Sequence, residues 1–455
     1  MAGLFGILSI ADQSIQAQQE ALQVSSNNLA NVNTPGYTRQ VATLTEQAPF
    51  ASSIGGGGGV VVQQVQSIRD AVLEIRIDQE TQNQNRLTSL QQQLGPVQTL
   101  FSATGGAGLG TALDGFFSAL QQLSTNPASG AQRTAVISAA QTLTQTFQQV
   151  ATGISQQRAG ADQEVIQGVA QANTLLGQIA NLNGQIADVQ NSNQNAGELV
   201  DQRTQLIQNL SQLIDFNTSA GNQGQVTLTT SAGSPLVVGA EASPLTLAPS
   251  GTGVQDIFSG TTDITASLSG GSLAGLIQAR DQTLPQLSTQ LDQLASGLAT
   301  AVNAQNQLGF DATGAVGGNL FTPPPATGAA ASLSLATTNP NAIAASGDGT
   351  VGDNSNLLKI QALQQQTIIG GQTPDNAYAS LISSIGSAIH SANTQQQASS
   401  LVLTQLQNQR SSISGVSNDE ESIAISQFQS AYQAAARVVG IINTLTSTAI
   451  NLGKD

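Results

Sequence analysis

Near its two ends the chain repeats one hydrophobic pattern. Leu4, Leu8, Ala11, Ile15, Gln18, Leu22, Ser25, Leu29 and Val32 step by alternating fours and threes. Ala424, Phe428, Ala431, Ala435, Val438, Ile442, Leu445, Ala449 and Leu452 do the same. Each is a heptad stripe of about four repeats, the seam of a coiled coil. Matched seams at opposite ends predict that the ends meet. Gln18, Ser25, Ala431 and Ala435 are small or polar, which weakens an isolated pair, so further helices are needed to complete it. The plain alternative is an ordinary amphipathic core; strict heptad spacing and placement at both ends favour assembly.

Between the stripes the period changes several times. Pro35 presets the first central angle of a turn and Gly36 accepts positive φ at the second, so the first helix should stop near Val32. Thr38 to Glu46 alternates weakly and reads as extended, and after the Gly55–Gly59 loop Val60-Val61-Val62 reads as a short strand. Helical spacing covers Ile68–Phe101, with a bend expected at Gly95-Pro96. It returns over Leu113–Leu123, Ala131–Val150, Val165–Val189 and Leu199–Leu213. Gln225–Thr229 and Leu245–Leu247 alternate with period two amid Gly, Ser and Pro, as strands do. Helical spacing resumes over Leu273–Val302, where Pro285 should kink it. The Gly/Pro/Ala-rich stretch Gly309–Asn356 is expected to add strands or loop to the β region. Helices follow over Leu357–Ile368 and Asn376–Ile413, and Ser417-Asn418-Asp419-Glu420 matches a capping box opening the second stripe.

The fold class is therefore mainly α: terminal coiled-coil helices, a long-helix bundle body and a small β-rich inserted domain. The layout is nested. Residues 1–45 with 414–455 are the expected terminal assembly domain. Residues 46–215 with 270–308 and 357–413 are the helical body, and 216–269 with 309–356 the β-rich insert. Because the insert interrupts helices that resume beyond it, Phe216–Ser269 is expected to project outward and to be dispensable for assembly through the terminal helices. The expected assembly interface is Leu4, Leu8, Ile15, Leu22, Leu29 and Val32 with Phe428, Val438, Ile442, Leu445 and Leu452. Val438, Ile442 and Leu445 should be covered only once neighbouring copies are present.

Composition narrows the chemistry. Charged residues are 9% of the chain, aromatics 3%, and the net charge is −15. With Lys359 and Lys454 the only lysines, no basic stripe can neutralise phosphates, which argues against nucleic acid or an anionic membrane surface as partner. Gln replaces charge, as in Gln91-Gln92-Gln93, and suits polar-faced helices. Cysteine is absent, which excludes disulfides and thiolate metal sites. No apolar run is long enough to cross a bilayer, and the start lacks the basic region of a cleaved signal. His390 is the sole histidine, so no histidine pair can build a triad or metal cluster, and a helix-surface role is expected. Asp201 and Arg203 read as a cap or an ion pair near a helix start, and Asp419, Glu420 and Glu421 as a helix start favoured by its dipole. Gly105–Gly110 lacks phosphate-loop spacing and reads as a loop between helices. A wall hydrolase would need a carboxylate pair with a raised-pKa acid, and none stands out. No catalytic residue, metal site or cofactor is expected.

Asn27-Asn28-Leu29-Ala30-Asn31-Val32-Asn33-Thr34-Pro35-Gly36-Tyr37 resembles the signature of the bacterial flagellar rod, hook and hook-associated axial proteins. Its continuation Thr38-Arg39-Gln40 is similar to the hook-associated branch. So are Phe116–Gln121, Leu199–Arg203, Gly271–Leu276, Ala377–Leu381, and Ser412–Val416 with Asp419-Glu420-Glu421. The resemblance covers the helical layers and is weak in the β insert. It implies a structural adaptor joining hook to filament at their junction; a hook or distal rod subunit is the alternative. The implied partners are the hook protein, a second hook–filament junction protein, copies of the chain itself in a helical ring, and an export chaperone with the flagellar type III export apparatus. Nucleic acid binding and membrane insertion are not implied. The implied location is the extracellular flagellum, reached without a cleaved signal. One departure stands out: better-known members carry a larger insert between the segments like Leu308–Asp311 and Asp353–Asn356.

Overall fold

The computed structural model describes residues 2–48, 58–101, 108–192 and 194–452. Helix α1 (Ala2–Ala30) ends at a turn in which the Tyr37 amide donates to the Thr34 carbonyl (3.2 Å) and Gly36 takes φ +81°. Strands β1 (Gln40–Glu46) and β2 (Val60–Ser67) then form an antiparallel hairpin packed along α1. The expected strand Val60–Val62 is the start of β2; most of the Gly55–Gly59 loop and half of Gly105–Gly110 lie outside the described residues.

Next come α2 (Ala71–Phe101), α3 (Leu109–Thr125), α4 (Gly130–Asn191) and α5 (Gly197–Ser211). Helix α2 continues through Pro96. The two stretches expected within 131–189 are one helix of 62 residues, because Ile154 and Ala161 carry the buried stripe across the polar interval between them. A small residue such as Ala161 keeps helical propensity high while adding little to a hydrophobic pattern.

The β insert contains two antiparallel sheets. One has β3 (Asn217–Ala220), β4 (Val226–Thr229), β5 (Pro235–Val238) and β6 (Glu241–Ala242) in sequential order; the other has β7 (Leu245–Pro249), β8 (Gln255–Ser259) and β9 (Thr262–Asp263). Helices α6 (Gly271–Gln278) and α7 (Leu284–Asn306) follow, joined by a π-helical turn over Ala279–Thr283. Pro285 lies in the first turn of α7, where a missing N–H is tolerated. The widened turn before it absorbs the disruption expected as a kink. Short α8 (Ala329–Ser332) and α9 (Ser355–Ala362) precede the long α10 (Pro374–Ser414) and α11 (Asn418–Leu452).

Two large apolar cores organise the body. The first joins the second half of α2, α3, the first half of α4, α7, α9 and the start of α10. The second joins Ala161–Ala180 of α4 to α5, α6 and both sheets. Two expectations change here. Residues 309–356 pack on the helical body and not on the sheets: Leu320, Phe321, Leu333 and Ile343 belong to the first core, and Phe321 meets Phe116 edge-on at 5.8 Å. The sheets, in turn, cover Val165, Val169, Leu176 and Ile179 of α4, so removing Phe216–Ser269 would open the second core instead of trimming an appendage. Both differences in packing have one cause: alternation and glycine content report backbone type, whereas the partner of an apolar face is set by three-dimensional packing.

Arg280, on the π-turn, is wholly buried. Its Nε and Nη2 donate to the two Asp281 carboxylate oxygens (both 2.8 Å), and Nη1 donates to Asp162 Oδ1 and the Gln255 carbonyl (both 2.7 Å). Burial pushes the guanidinium down, but the bonds to Asp281 and Asp162 outweigh it and hold the group above its ordinary value. This one side chain ties α4, β8 and the α6–α7 run together.

Where α2 meets α10, Asp78 is buried and its Oδ1 has no hydrogen-bond partner among the described residues. Burial, then Glu74, push its carboxyl up to about 8, opposed by Arg410 of α10. The folded chain thus keeps a proton that the unfolded chain releases near pH 4. Stability from this group is fullest at acid pH and falls as pH rises from about 4 to about 8, by at most ~1.4 kcal/mol per pH unit. Asp78→Asn is expected to flatten that slope and to stabilise the protein by a few kcal/mol at pH 9, read as a raised urea midpoint at pH 9 with little change at acid pH. Parallel pH profiles for the two proteins would contradict it.

Candidate functional site: the terminal helix pair and its joint

Helix α11 begins beside the residues that follow α1 and packs along α1, so the two run antiparallel. The expectation that the two ends meet holds in the structure. The seam follows the expected stripes only at Ala11, Ser25, Ala435 and Ile442. Its fully buried positions on α1 are Ala11, Ala17, Ala21, Ser25 and Asn28, and on α11 Glu421, Ala435 and Ile442. Leu4, Leu8, Ile15, Leu22, Leu29, Val32 and Phe428 are half-buried. Val438 and Leu445 are exposed, and the side chain of Leu452 lies outside the described residues. Ile442, expected to be covered only by a neighbouring copy, is already 4% exposed within the chain, whereas Leu445 is 52% exposed. Small residues take the inner line because they let two helices approach closely, which leaves larger ones at the flanks. Ala17, Ala21 and Asn28, which flank the stripe member Ser25 on this line, are present in the sequence, but a stripe scored by hydrophobicity passes over them.

The motif residues build the joint below the pair. Asn28 is 1% exposed and makes three bonds. Its Nδ2 donates to the Gln40 carbonyl (2.8 Å), while its Oδ1 accepts from the Gln40 amide (3.0 Å) and from the Tyr37 hydroxyl (2.8 Å). Three of the four hydrogen bonds that its amide can make go to fixing the chain reversal after α1. Burial first, then Glu421 and Glu198, push the Tyr37 phenol up, which keeps it a donor. Asn31 Nδ2 donates to the Asn27 carbonyl (3.0 Å), and Thr34 Oγ1 donates to Asn31 Oδ1 (3.1 Å). Gly36 faces Gln205 of α5: a Cβ there would lie 2.7 Å from Gln205 Oε1. Ala30, Asn33, Thr34 and Pro35 are exposed. A cleft of about 370 Å³ opens between this turn and α5, bordered by Asn27, Asn31, Pro35, Glu198 and Gln202.

Arg39, not singled out for its own chemistry by the sequence, is the centre of the joint. Its Nη1 pairs with Glu420 (2.8 Å) and its Nε with Glu421 (2.7 Å), the first turn of α11. The Glu420 amide donates to Ser417 Oγ (3.4 Å), as the capping box requires. Asp201 pairs with Arg69 and accepts from the Thr38 amide (3.2 Å). It does not pair with Arg203, whose Nη1 instead donates to Asn183 Oδ1 (2.8 Å) and the Gly224 carbonyl (2.7 Å). Two residues apart on a helix, Asp201 and Arg203 face different directions. His390 lies exposed on α10. Among the described residues no group of three or more His, Cys, Asp and Glu could hold a metal ion, and no described helix is long and apolar enough to cross a membrane.

A paired set of terminal helices, anchored by this motif to a layered helical body, defines a structural subunit of the flagellar axial kind. The sequence profile described as "Flagellar hook-associated protein FlgK helical domain" matches residues 94–321, and that described as "Flagella basal body rod protein" matches residues 11–38. The chain belongs to the FlgK family of flagellar hook-associated proteins. It is similar to the flagellar hook-associated protein 1 of Escherichia coli K12, at 28% identity over 98% of this chain and 99% of the relative. With the flagellar hook-associated protein 1 of Bacillus subtilis 168, identity is 29% over 99% of each. The Escherichia alignment spans 546 positions against 455 residues here, so that relative carries residues this chain lacks. Its fold matches the flagellar hook junction protein FlgK of Burkholderia pseudomallei, with TM-score 0.67, 21% identity, 74% of this chain and 100% of that one. The chain is thus a flagellar hook-associated structural protein.

Proposed function

We propose that this chain is the adaptor that joins hook to filament at their junction, working by assembly and without catalytic chemistry. The observation that carries the reading is the terminal helix pair, which leaves Phe5, Ile7, Ile423, Ile441, Leu445 and Ile450 exposed on a chain otherwise rich in Gln and Ser. Clustered exposed apolar residues mark surfaces used for association. Copies set side by side, each adding its helix pair through a different face, make heterologous contacts that propagate a helical ring. The half-buried Leu4, Leu8, Ile15, Leu22, Leu29, Val32 and Phe428 would be covered there together with Val438, Leu445 and Leu452. The hook protein would lie on one side and a second junction protein on the other. Before assembly, a chaperone would shield the terminal segment, and the flagellar type III apparatus would deliver the chain to the outside of the cell.

A strain lacking the chain is expected to make complete hooks without filaments, seen by negative-stain electron microscopy of its hook–basal bodies. Absent hooks would move the protein to the hook or distal rod, the role that the basal-body-rod profile at residues 11–38 would then favour.

A further inference from the structure

The chain enters the β insert at Ile214-Asp215-Phe216 and leaves it at Leu268-Ser269-Gly270, and both crossings meet Gln82 of α2. Gln82 Nε2 donates to the Phe216 carbonyl (3.4 Å). A Cβ on Gly270 would lie 2.9 Å from the Gln82 Cβ and 3.1 Å from the Asp215 Cβ. The φ of Gly270, −144°, suits any residue, so glycine serves the close approach here and not the backbone angle.

A cleft of about 200 Å³ opens at this meeting point, bordered by Gln79, Gln82, Asp215, Asn217, Ser231 and Ser269, each of which carries a side-chain oxygen. Asp215 is 5% exposed. Its Oδ2 accepts from Ser269 Oγ (2.8 Å), its Oδ1 has no hydrogen-bond partner, and no ion pair reaches it among the described residues. Arg86, one turn along α2, donates instead to Gln278 Oε1 (3.1 Å) and Asn83 Oδ1 (3.2 Å). Gln82 is 6% exposed, and its Oε1 accepts no hydrogen bond among the described residues. A buried carboxylate without a cation is costly, and nothing in the protein offsets this one.

We propose that the cleft binds a monovalent alkali cation, sodium or potassium, through the Asp215 carboxylate, Gln82 Oε1 and the neighbouring amide and hydroxyl oxygens. Hard cations take oxygen ligands, which is what the cleft offers. One carboxylate cancels one unit charge. A calcium ion would be left half-compensated, and tight calcium loops supply several carboxylates. The imidazole and thiolate ligands that transition metals favour do not border the cleft. The bound ion ties α2 to both crossings and so holds the root of the insert against the body. The inference concerns the single chain and stands apart from the junction reading.

The test is thermal unfolding of the full chain in sodium, potassium, calcium and tetramethylammonium chloride, all at one ionic strength so that screening is equal. Methyl groups cover the charge of tetramethylammonium, which makes it the reference. Sodium or potassium is expected to raise the midpoint above that reference by about 2 °C, as an ion bound only by the folded state does. Asp215→Asn keeps the shape and still accepts from Ser269, yet should lose the difference. If Asp215→Asn does not fold, Gly270→Ala is read instead: its methyl group presses on Gln82 and Asp215 and should shrink the difference. Equal midpoints in sodium, potassium and tetramethylammonium overturn the proposal. So does a difference of the parent's size in the folded variant, which is then a general salt effect, or a rise with calcium alone.

Discussion

Ile442→Asp is expected to abolish the terminal helix pair while leaving the body folded. The side chain is 4% exposed on α11, and the aspartate would place an unpaired charge in the seam with α1, a cost of several kcal/mol. Small seam residues such as Ala17, Ala21 and Ala435 offer little apolar area to offset that cost. Neither helix contributes a described residue to the two large cores, so the main thermal transition should hardly move. Limited proteolysis should remove both ends, and in cells hooks should form without filaments. Leu445→Asp separates pairing from assembly. At 52% exposure the new charge stays hydrated in the single chain, so the pair should persist and only filament formation should fail. Normal filaments on a Leu445→Asp strain would show that this face of α11 is not a joining surface.

Arg280→Ala should be among the most destabilising single substitutions in the body. It removes the cation between Asp162 and Asp281 and strips the Gln255 carbonyl of a donor, at a site where the arginine is wholly buried. Losing one partner of a buried ion pair costs about 3–5 kcal/mol, because the remaining charge is uncompensated. Asp162 would keep only its bond from the Gln255 amide among its contacts with the second sheet and the π-turn. The expected result is a clear fall in urea midpoint, with earlier hydrogen exchange in β7–β9 and in α4 around Val165. A midpoint unchanged from the parent would mean that the triad contributes specificity of geometry and little net stability.

Much of the layout was legible in the sequence because its signals are local. A positive-φ demand at Gly36, a capping box at Ser417–Glu420 and the period-two runs at Gln225–Thr229 and Leu245–Leu247 each depend on the conformation of a few neighbouring residues. They end and begin elements whatever the rest of the chain does. The heptad stripes likewise announced two amphipathic helices that belong together. The motif at Asn27–Tyr37 marked the place of the joint.

The sequence could not say which line of each helix faces inward. Leu22 and Leu29 lie beside the buried seam and Ala21 and Asn28 lie in it, because close approach of two backbones rewards small side chains over large ones. Nor could it show that Arg39 reaches Glu420 and Glu421 across a separation of more than 380 residues, that Asp201 chooses Arg69 over Arg203, or that 309–356 joins the helical core. These are choices of partner. Periodicity fixes which residues share a face, since that follows from backbone geometry alone. What that face meets depends on how the remaining elements fill space, and only the folded chain decides it.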